Sequence, residues 1–237
     1  MDTVLTTQAP AKAFTEATRI QQSVLTRLEK KTLHWLAVRM PARVNSDHLT
    51  VLALLAMIGV GASYWLSSVT PVGLVLAIVL LAVNWFGDSL DGTLARVRQQ
   101  QRPRYGYYVD HVVDVIGVVF LFGGLALSGL MSLPIATALL LAYFLVSLEV
   151  YLATHSLGNF QMSFFGVGPT ELRILLALGN VAVLLRPDPT VLGTTFTLFD
   201  VGGIVGAIGL VGTFFYSAAR NTRALYRAEP IPARKEA

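Results

Sequence analysis

Four aspartates interrupt an otherwise apolar part of the chain, and their spacing suits one kind of chemistry. Asp88 and Asp91 are three residues apart, and Asp110 and Asp114 are four residues apart. Residues at these spacings share one face of an α-helix, so each pair projects from one side of its helix. Grouped carboxylates repel one another and are costly to desolvate, and a bound Mg²⁺ or Mn²⁺ ion removes both penalties. If the helices that carry the two pairs pack directly against each other, antiparallel through a short turn, the pairs meet, and the four aspartates therefore predict a metal site.

A metal site of this kind points to a substrate that carries phosphate. Magnesium in proteins is held by a few carboxylates, several waters and substrate phosphate oxygens. Basic residues follow the first aspartate pair and offer compensating positive charge: Arg96, Arg98, Arg102 and Arg104. The aspartates and arginines together favour a diphosphate-bearing substrate.

The elements that carry these residues are predicted to be membrane helices. The 237 residues are 54% hydrophobic and only 14% charged, whereas a soluble domain is about 25% charged. A run of about 20 apolar residues can cross a bilayer, and six runs qualify or come close: Leu49–Leu66, Val72–Phe86, Val112–Leu130, Ile135–Thr154, Leu172–Leu185 and Val201–Tyr216. The second run must continue to about Arg96 to be long enough. The fifth is short, so five crossings are the alternative to six.

These runs predict an all-α integral membrane protein with one catalytic domain. We expect a disordered N-terminus (1–11), an amphipathic helix at the membrane surface (12–40), a six-helix membrane domain (45–220) and a polar tail (221–237). The amphipathic helix has a basic polar face, with His34 and Trp35 near its end as interfacial anchors. Packing on a soluble partner is the alternative for this helix. No apolar core with a cleavage site occurs in the first forty residues, so we expect no signal peptide.

The distribution of charge predicts the orientation in the membrane. Sixteen of the 18 lysines and arginines precede the first predicted span, separate the second from the third, or follow the sixth. With six crossings these segments share one side, which the positive-inside rule assigns to the cytoplasm. Both termini and the aspartates are then cytoplasmic. A nucleic-acid partner is not expected, because no soluble domain presents a basic patch, and the absence of cysteine excludes disulfides and thiolate ligands.

The aspartate region resembles the signature of the CDP-alcohol phosphotransferase family. The matching pattern is Asp88-x-x-Asp91-Gly92-x-x-Ala95-Arg96, nine residues, then Gly106-x-x-x-Asp110-x-x-x-Asp114. The resemblance implies a transferase that takes a substituted phosphate from a CDP-linked lipid or alcohol, passes it to an alcohol, and releases CMP in phospholipid biosynthesis. It also implies a membrane-embedded homodimer.

The resemblance implies a role for each matching residue. Asp88, Asp91 and Asp110 are expected to hold Mg²⁺ or Mn²⁺, and Asp114 to complete that site and help deprotonate the acceptor hydroxyl. A second set is expected to contact the cytidine diphosphate: Gly92, Ala95, Arg96 and Gly106.

Three further groups are candidates for the chemistry. An alcohol is a weak nucleophile and needs a base within hydrogen-bond reach, so His111 is a candidate beside Asp114. Glu149 and Glu171 are candidates to orient His111 or the acceptor, although Glu171 also suits a helix N-terminus. Arg173 is a candidate to receive a phosphate.

Two other functions fit parts of the pattern. Asn84 with Asp88 and Asp91 resembles the aspartate-rich diphosphate site of an intramembrane prenyltransferase, which needs a second acidic cluster. A cation transporter would use the carboxylates as an ion pathway. The acceptor alcohol and the number of metal ions stay open at this point.

Overall fold

The computed structural model describes residues 18–20, 26–157, 159–161, 168–186, 196–229 and 231. Within these residues the chain forms seven α-helices and two three-residue strands. In chain order they are β1 (Thr18–Ile20), α1 (Thr26–Arg39), α2 (Ser46–Ser67), α3 (Val72–Val97), α4 (Pro103–Leu127), α5 (Leu133–Leu157), β2 (Asn159–Gln161), α6 (Pro169–Leu185) and α7 (Leu198–Ala228).

The helices confirm the prediction of an integral membrane protein. Among the described residues, α2, α3, α4, α5 and α7 are each long and apolar enough to cross a membrane. The short fifth apolar run corresponds to α6, which has 17 residues. At about 1.5 Å per residue this helix is about 25 Å long, slightly less than a hydrocarbon core of about 30 Å. The sixth crossing therefore stays a prediction.

The N-terminal helix is shorter than the predicted range 12–40. The helix α1 begins at Thr26, whereas Thr18–Ile20 form β1 and pair in parallel with β2. Threonine and isoleucine are β-branched and favour extended backbone, so a strand partner overrides the helical periodicity here. Residues 12–17 and 21–25 lie outside the described residues, as does the N-terminus predicted to be disordered (1–11).

Two other helix ends differ from the predicted boundaries. The third apolar run was expected to reach Leu130, but α4 ends at Leu127 because Gly129 adopts a left-handed φ of 76°. The predicted tail (221–237) begins inside α7, which continues to Ala228. No proline occurs in α7 before Pro230, so nothing in the backbone stops the helix at residue 220.

The centre of the bundle is α2, which packs against both α3 and α4. The approach is close: a Cβ on Gly124 of α4 would lie 2.6 Å from the Gly61 Cα of α2, and one on Gly87 of α3 would lie 2.6 Å from the Leu49 carbonyl oxygen. Small residues allow such contacts between membrane helices. Direct packing of α3 on α4 was the expected route to the aspartate cluster, but the two helices make little direct backbone contact. The carboxylates therefore meet across a gap beside α2.

The remaining helices pack on the outer sides of α3 and α4 or against one another. The helices α1 and α6 pack against α3, and α5 packs against α4 and α7. This arrangement brings the first turns of α6 beside the aspartates of α3.

Candidate metal and substrate site

Three of the four predicted aspartates meet across the gap between α3 and α4. Asp88, Asp110 and Asp114 each present a carboxylate oxygen, and these oxygens lie within 4.8 Å of one another. All three residues are half-buried. Asp110 and Asp114 lie one helical turn apart on α4, so a single face of that helix supplies two of the oxygens. An oxygen-only set of carboxylates at this separation suits a hard divalent cation.

The fourth aspartate, Asp91, lies outside this cluster. Its Oδ2 accepts a hydrogen bond of 2.6 Å from Thr50 Oγ1, and its Oδ1 accepts one from its neighbour, the Gly92 N–H. The Asp91 carbonyl oxygen also accepts from Ser46 Oγ at 2.7 Å. These contacts attach α3 to the start of α2, and the role of Asp91 as a metal ligand stays a prediction.

Arg173 of α6 reaches the aspartate cluster. Its Nη2 donates to Asp88 Oδ2 at 2.6 Å and its Nε donates to Asn84 Oδ1 at 2.7 Å. Asn84 is held in turn by α2, because its Nδ2 donates to the Ala53 carbonyl oxygen at 2.9 Å. The Nη1 of Arg173 is buried without a hydrogen-bond partner among the described residues. The site thus contains a guanidinium group held by the Asn84 amide and the Asp88 carboxylate, and its Nη1 can donate a further hydrogen bond.

His111 lies beside the cluster on the side that faces α5. Its Nδ1 is 2.6 Å from the Tyr107 carbonyl oxygen and 3.8 Å from Asp110 Oδ2. A carbonyl oxygen only accepts hydrogen bonds, so Nδ1 carries the proton and Nε2 has the lone pair in the neutral ring. The imidazole packs between the rings of Tyr107 and Tyr151, with centroids 4.1 and 4.8 Å away. This packing fixes the orientation of the ring.

Three hydroxyl residues of α5 that the sequence analysis missed face the same region. Tyr143, Ser147 and Tyr151 are each one helical turn apart, and Ser147 lies near the hydroxyl groups of both tyrosines. Asp114 acts electrostatically on both tyrosine hydroxyls. The spacing of four residues was visible in the sequence, but nothing there indicated which face of α5 would turn toward α4.

The two glutamates predicted to orient substrate have other partners. Glu149 accepts a 2.6 Å hydrogen bond at Oε1 from Asn221 Nδ2, which connects α5 to α7. Glu171 Oε2 accepts from the Gly168 N–H at 3.0 Å, so it caps the N-terminus of α6. Neither contact orients His111, and an orienting role for either glutamate stays a prediction.

The residues expected to contact the nucleotide lie where the protein is open. A Cβ on Gly106 would meet no described atom within 4 Å, and one on Gly92 would meet only Arg96 Nη1, at 3.5 Å. Arg96 is exposed and its Nη2 donates to Thr93 Oγ1 at 3.0 Å, while Ala95 is half-buried. These positions leave space beside α3 and α4 for a ligand.

Two other arginines of the predicted basic segment have structural partners. Arg98 donates to the carbonyl oxygens of Met40, Pro41 and Val44, and thereby fastens the link between α1 and α2. Arg102 forms an ion pair with Asp47. A polar cavity of about 420 Å³ opens beside this pair, lined by Asn45, Ser46, Asp47, Gln100, Gln101 and Arg102.

Comparison with known proteins agrees with the site. A sequence profile described as CDP-alcohol phosphatidyltransferase matches residues 44–215, which include all four aspartates. Over 104 residues the chain is 27% identical to the archaetidylinositol phosphate synthase of Pyrococcus horikoshii, and the alignment covers 44% of this chain and 52% of that protein. The chain thus matches about half the length of this relative. Because the profile match extends from the start of α2 into α7, the protein belongs to the CDP-alcohol phosphatidyltransferase family.

Proposed function

We propose that the protein transfers a substituted phosphate group from a CDP-linked donor to an alcohol and releases CMP. The observation that carries this proposal is the group of three carboxylates within 4.8 Å of one another, in a chain of this family. The acceptor oxygen forms a bond to the phosphorus that carries the donor's alcohol. The bond from that phosphorus to the bridging diphosphate oxygen breaks, and CMP leaves with that oxygen.

Asp88, Asp110 and Asp114 would hold Mg²⁺ or Mn²⁺, because hard cations prefer carboxylate oxygens. A divalent cation supplies Lewis acidity and neutralises charge at a diphosphate. We also propose Asp91 as a ligand, although its Oδ2 is bonded to Thr50. Asp91→Asn tests this point: loss of metal affinity would support it, and unchanged affinity would leave Asp91 with its contacts to α2.

Gly92, Ala95, Arg96 and Gly106 are proposed to line the pocket for the cytidine diphosphate. The open space at the two glycines supports this assignment, because backbone without a Cβ admits a phosphate closely. The exposed guanidinium of Arg96 can move to an anionic ligand, because its hydrogen bond to Thr93 is made at the surface. The neighbouring polar cavity between the start of α2 and the α3–α4 link has room for a nucleobase.

Asp114 and His111 are the two groups proposed to accept the proton of the acceptor hydroxyl. His111 presents Nε2 as its basic nitrogen, since Nδ1 is bonded to the Tyr107 carbonyl oxygen. Removing a general base costs about 10²–10⁴-fold in rate. We therefore expect His111→Ala to lower kcat by about 100-fold or more if the imidazole is the base. An unchanged kcat would assign the proton transfer to Asp114.

The identities of the acceptor alcohol and of the donor lipid are part of this proposal. The relative's name makes an inositol phosphate the first acceptor to test, with CDP-diacylglycerol and CDP-alcohols as donors.

We propose six crossings with α6 as the short span. We also propose that the active site and both termini are cytoplasmic, because most of the arginines and lysines lie in segments on the same side as the aspartates. The homodimer implied by the family stays a prediction.

A direct assay tests the proposed function. Purified protein would be incubated with Mg²⁺, a CDP-linked donor and a panel of alcohols, and CMP and product lipid would be measured. Metal-dependent CMP release that requires an acceptor supports the proposal. Pyrophosphate release from a prenyl diphosphate would indicate a prenyltransferase instead, and ion flux in liposomes without CMP release would indicate a transporter.

A further inference from the structure

Glu29 is a buried carboxylate outside the aspartate motif, and donors from two other helices meet at one of its oxygens. Its Oε1 accepts hydrogen bonds from Trp85 Nε1 at 3.0 Å, from Ser89 Oγ at 3.3 Å and from Thr170 Oγ1 at 2.6 Å. Trp85 and Ser89 belong to α3, and Thr170 belongs to the first turn of α6. Glu29 itself is 8% exposed. A single oxygen of α1 thus connects α3 to α6.

These contacts are adjacent to the residues of the site. Ser89 directly follows Asp88, and Thr170 precedes Arg173 by three residues, which is less than one helical turn. The helices α3 and α6 are therefore joined at two places, once by Arg173 with Asn84 and Asp88 and once by Glu29 between Ser89 and Thr170. One contact between two helices allows them to rotate about it, whereas two contacts fix their relative orientation.

The apolar packing of α1 does not provide the same constraint. Leu33 and Ala37 pack with Leu49, Leu90 and Leu94, and all five are buried. Apolar contacts are non-directional, so they hold α1 on α3 without selecting one orientation for α6. The directional bonds at Glu29 do select one.

We propose that Glu29 is a positioning residue that sets the α3–α6 geometry in which Arg173 meets Asp88. The helix α1 is then part of the catalytic unit as well as a membrane-surface helix. The kinetic consequence rests on the proposed function, but the structural consequence does not. A displacement of about 1 Å at a reacting centre can cost about 100-fold in rate.

A double-mutant cycle tests the kinetic consequence. We expect Glu29→Ala to lower kcat at least about tenfold, and Glu29→Gln to stay within about threefold of wild type because its amide oxygen accepts the same bonds. In an Arg173→Gln background, Glu29→Ala should add less than about threefold, because Glu29 acts through Arg173. Equal losses in both backgrounds would overturn the proposal.

Leu33→Ala is the matched control, since it removes buried packing of α1 and leaves the bonds of Glu29 in place. It should lower thermal stability, and its effect on kcat should be the same in both Arg173 backgrounds. If Glu29→Ala does not fold, Thr170→Val replaces it, because that change removes the 2.6 Å bond with little change of volume.

A distance measurement tests the structural consequence without activity. The chain has no cysteine, so spin labels on Val79→Cys in α3 and Leu175→Cys in α6, both exposed, report the α3–α6 distance. We expect one narrow distribution of label-to-label distances when Glu29 is kept or replaced by Gln, and a broad distribution in Glu29→Ala. An unchanged distribution in Glu29→Ala would overturn the proposal. A protein that releases no CMP but shows the expected distributions would refute the proposed function alone.

Discussion

The two ends of the helix bundle both contain buried or half-buried carboxylates, but their charge is balanced differently. At one end, Asp200 is 4% exposed and accepts hydrogen bonds from the backbone N–H groups of Ser132 and Thr197, at 2.7 and 3.2 Å. At the other end, Asp88, Asp110 and Asp114 face one another within 4.8 Å, and Asp88 is paired with Arg173.

The difference distinguishes a carboxylate that stabilises the fold, Asp200, from carboxylates that are available to bind a cation. Asp200 completes a reciprocal cap with Thr197 at the start of α7, where the orphan N–H groups of a helix need acceptors. The negative charge of Asp200 is therefore balanced by the backbone N–H groups that it accepts from. The three aspartates between α3 and α4 concentrate like charge that one guanidinium does not neutralise, and this excess of charge is what a divalent cation would balance.

The largest expected effect comes from the cluster itself. We expect Asp110→Asn to reduce CMP release by at least about 1,000-fold. The change removes a carboxylate that would hold the divalent cation, and that cation would stabilise the charge that develops on the diphosphate in the transition state. The protein should still insert and keep its helical circular dichroism, since the Asp110 side chain is 39% exposed. Turnover within about tenfold of wild type would contradict the assignment of Asp110 to the metal site.

An intermediate effect is expected at Arg173. Arg173→Gln removes the ion pair with Asp88 and the bond from Nε to Asn84. We expect kcat/KM to fall by about 10–100-fold, because charged hydrogen bonds contribute roughly 1.5–3 kcal/mol. Arg173→Lys should recover only part of this loss, since an ammonium cannot bond both Asn84 and Asp88 in the same fork. Full activity in the lysine variant would show that position matters less than charge.

The smallest effect on activity is expected at the opposite end. Asp200→Ala removes the cap of α7 and should destabilise the protein by roughly 1–2 kcal/mol. Its effect is expected on the thermal midpoint, with CMP release at low temperature unchanged. A loss of activity in the folded variant that exceeds the loss of stability would remove the distinction between the two ends.

The sequence predicted the parts of the site that depend on local spacing. Asp110 and Asp114 share a face of α4 because they are one turn apart, and hydropathy alone identified the five long spans. Contacts between residues distant in sequence could not be read in this way. The pairing of Arg173 with Asp88 spans 85 positions and that of Thr170 with Glu29 spans 141, and both depend on how α6 packs.

The position of α2 against both α3 and α4 could not be predicted from local sequence patterns either. Direct packing of α3 on α4 was the simplest expectation for helices joined by a short link, yet α2 packs against both. Close approach at Gly61 and Gly124 makes this possible, and glycine spacing indicates such an approach without naming the partner helix. Asp91, in turn, is directed to Thr50 because α2 begins beside it.

Binding of Mn²⁺ to the purified protein tests the central claim most directly. Titration followed by electron paramagnetic resonance should show saturable binding to the wild type and to Asp200→Ala, and a loss of that binding in Asp88→Asn and Asp114→Asn. Saturable binding of equal affinity in all four proteins would mean that the three carboxylates between α3 and α4 are not the metal site.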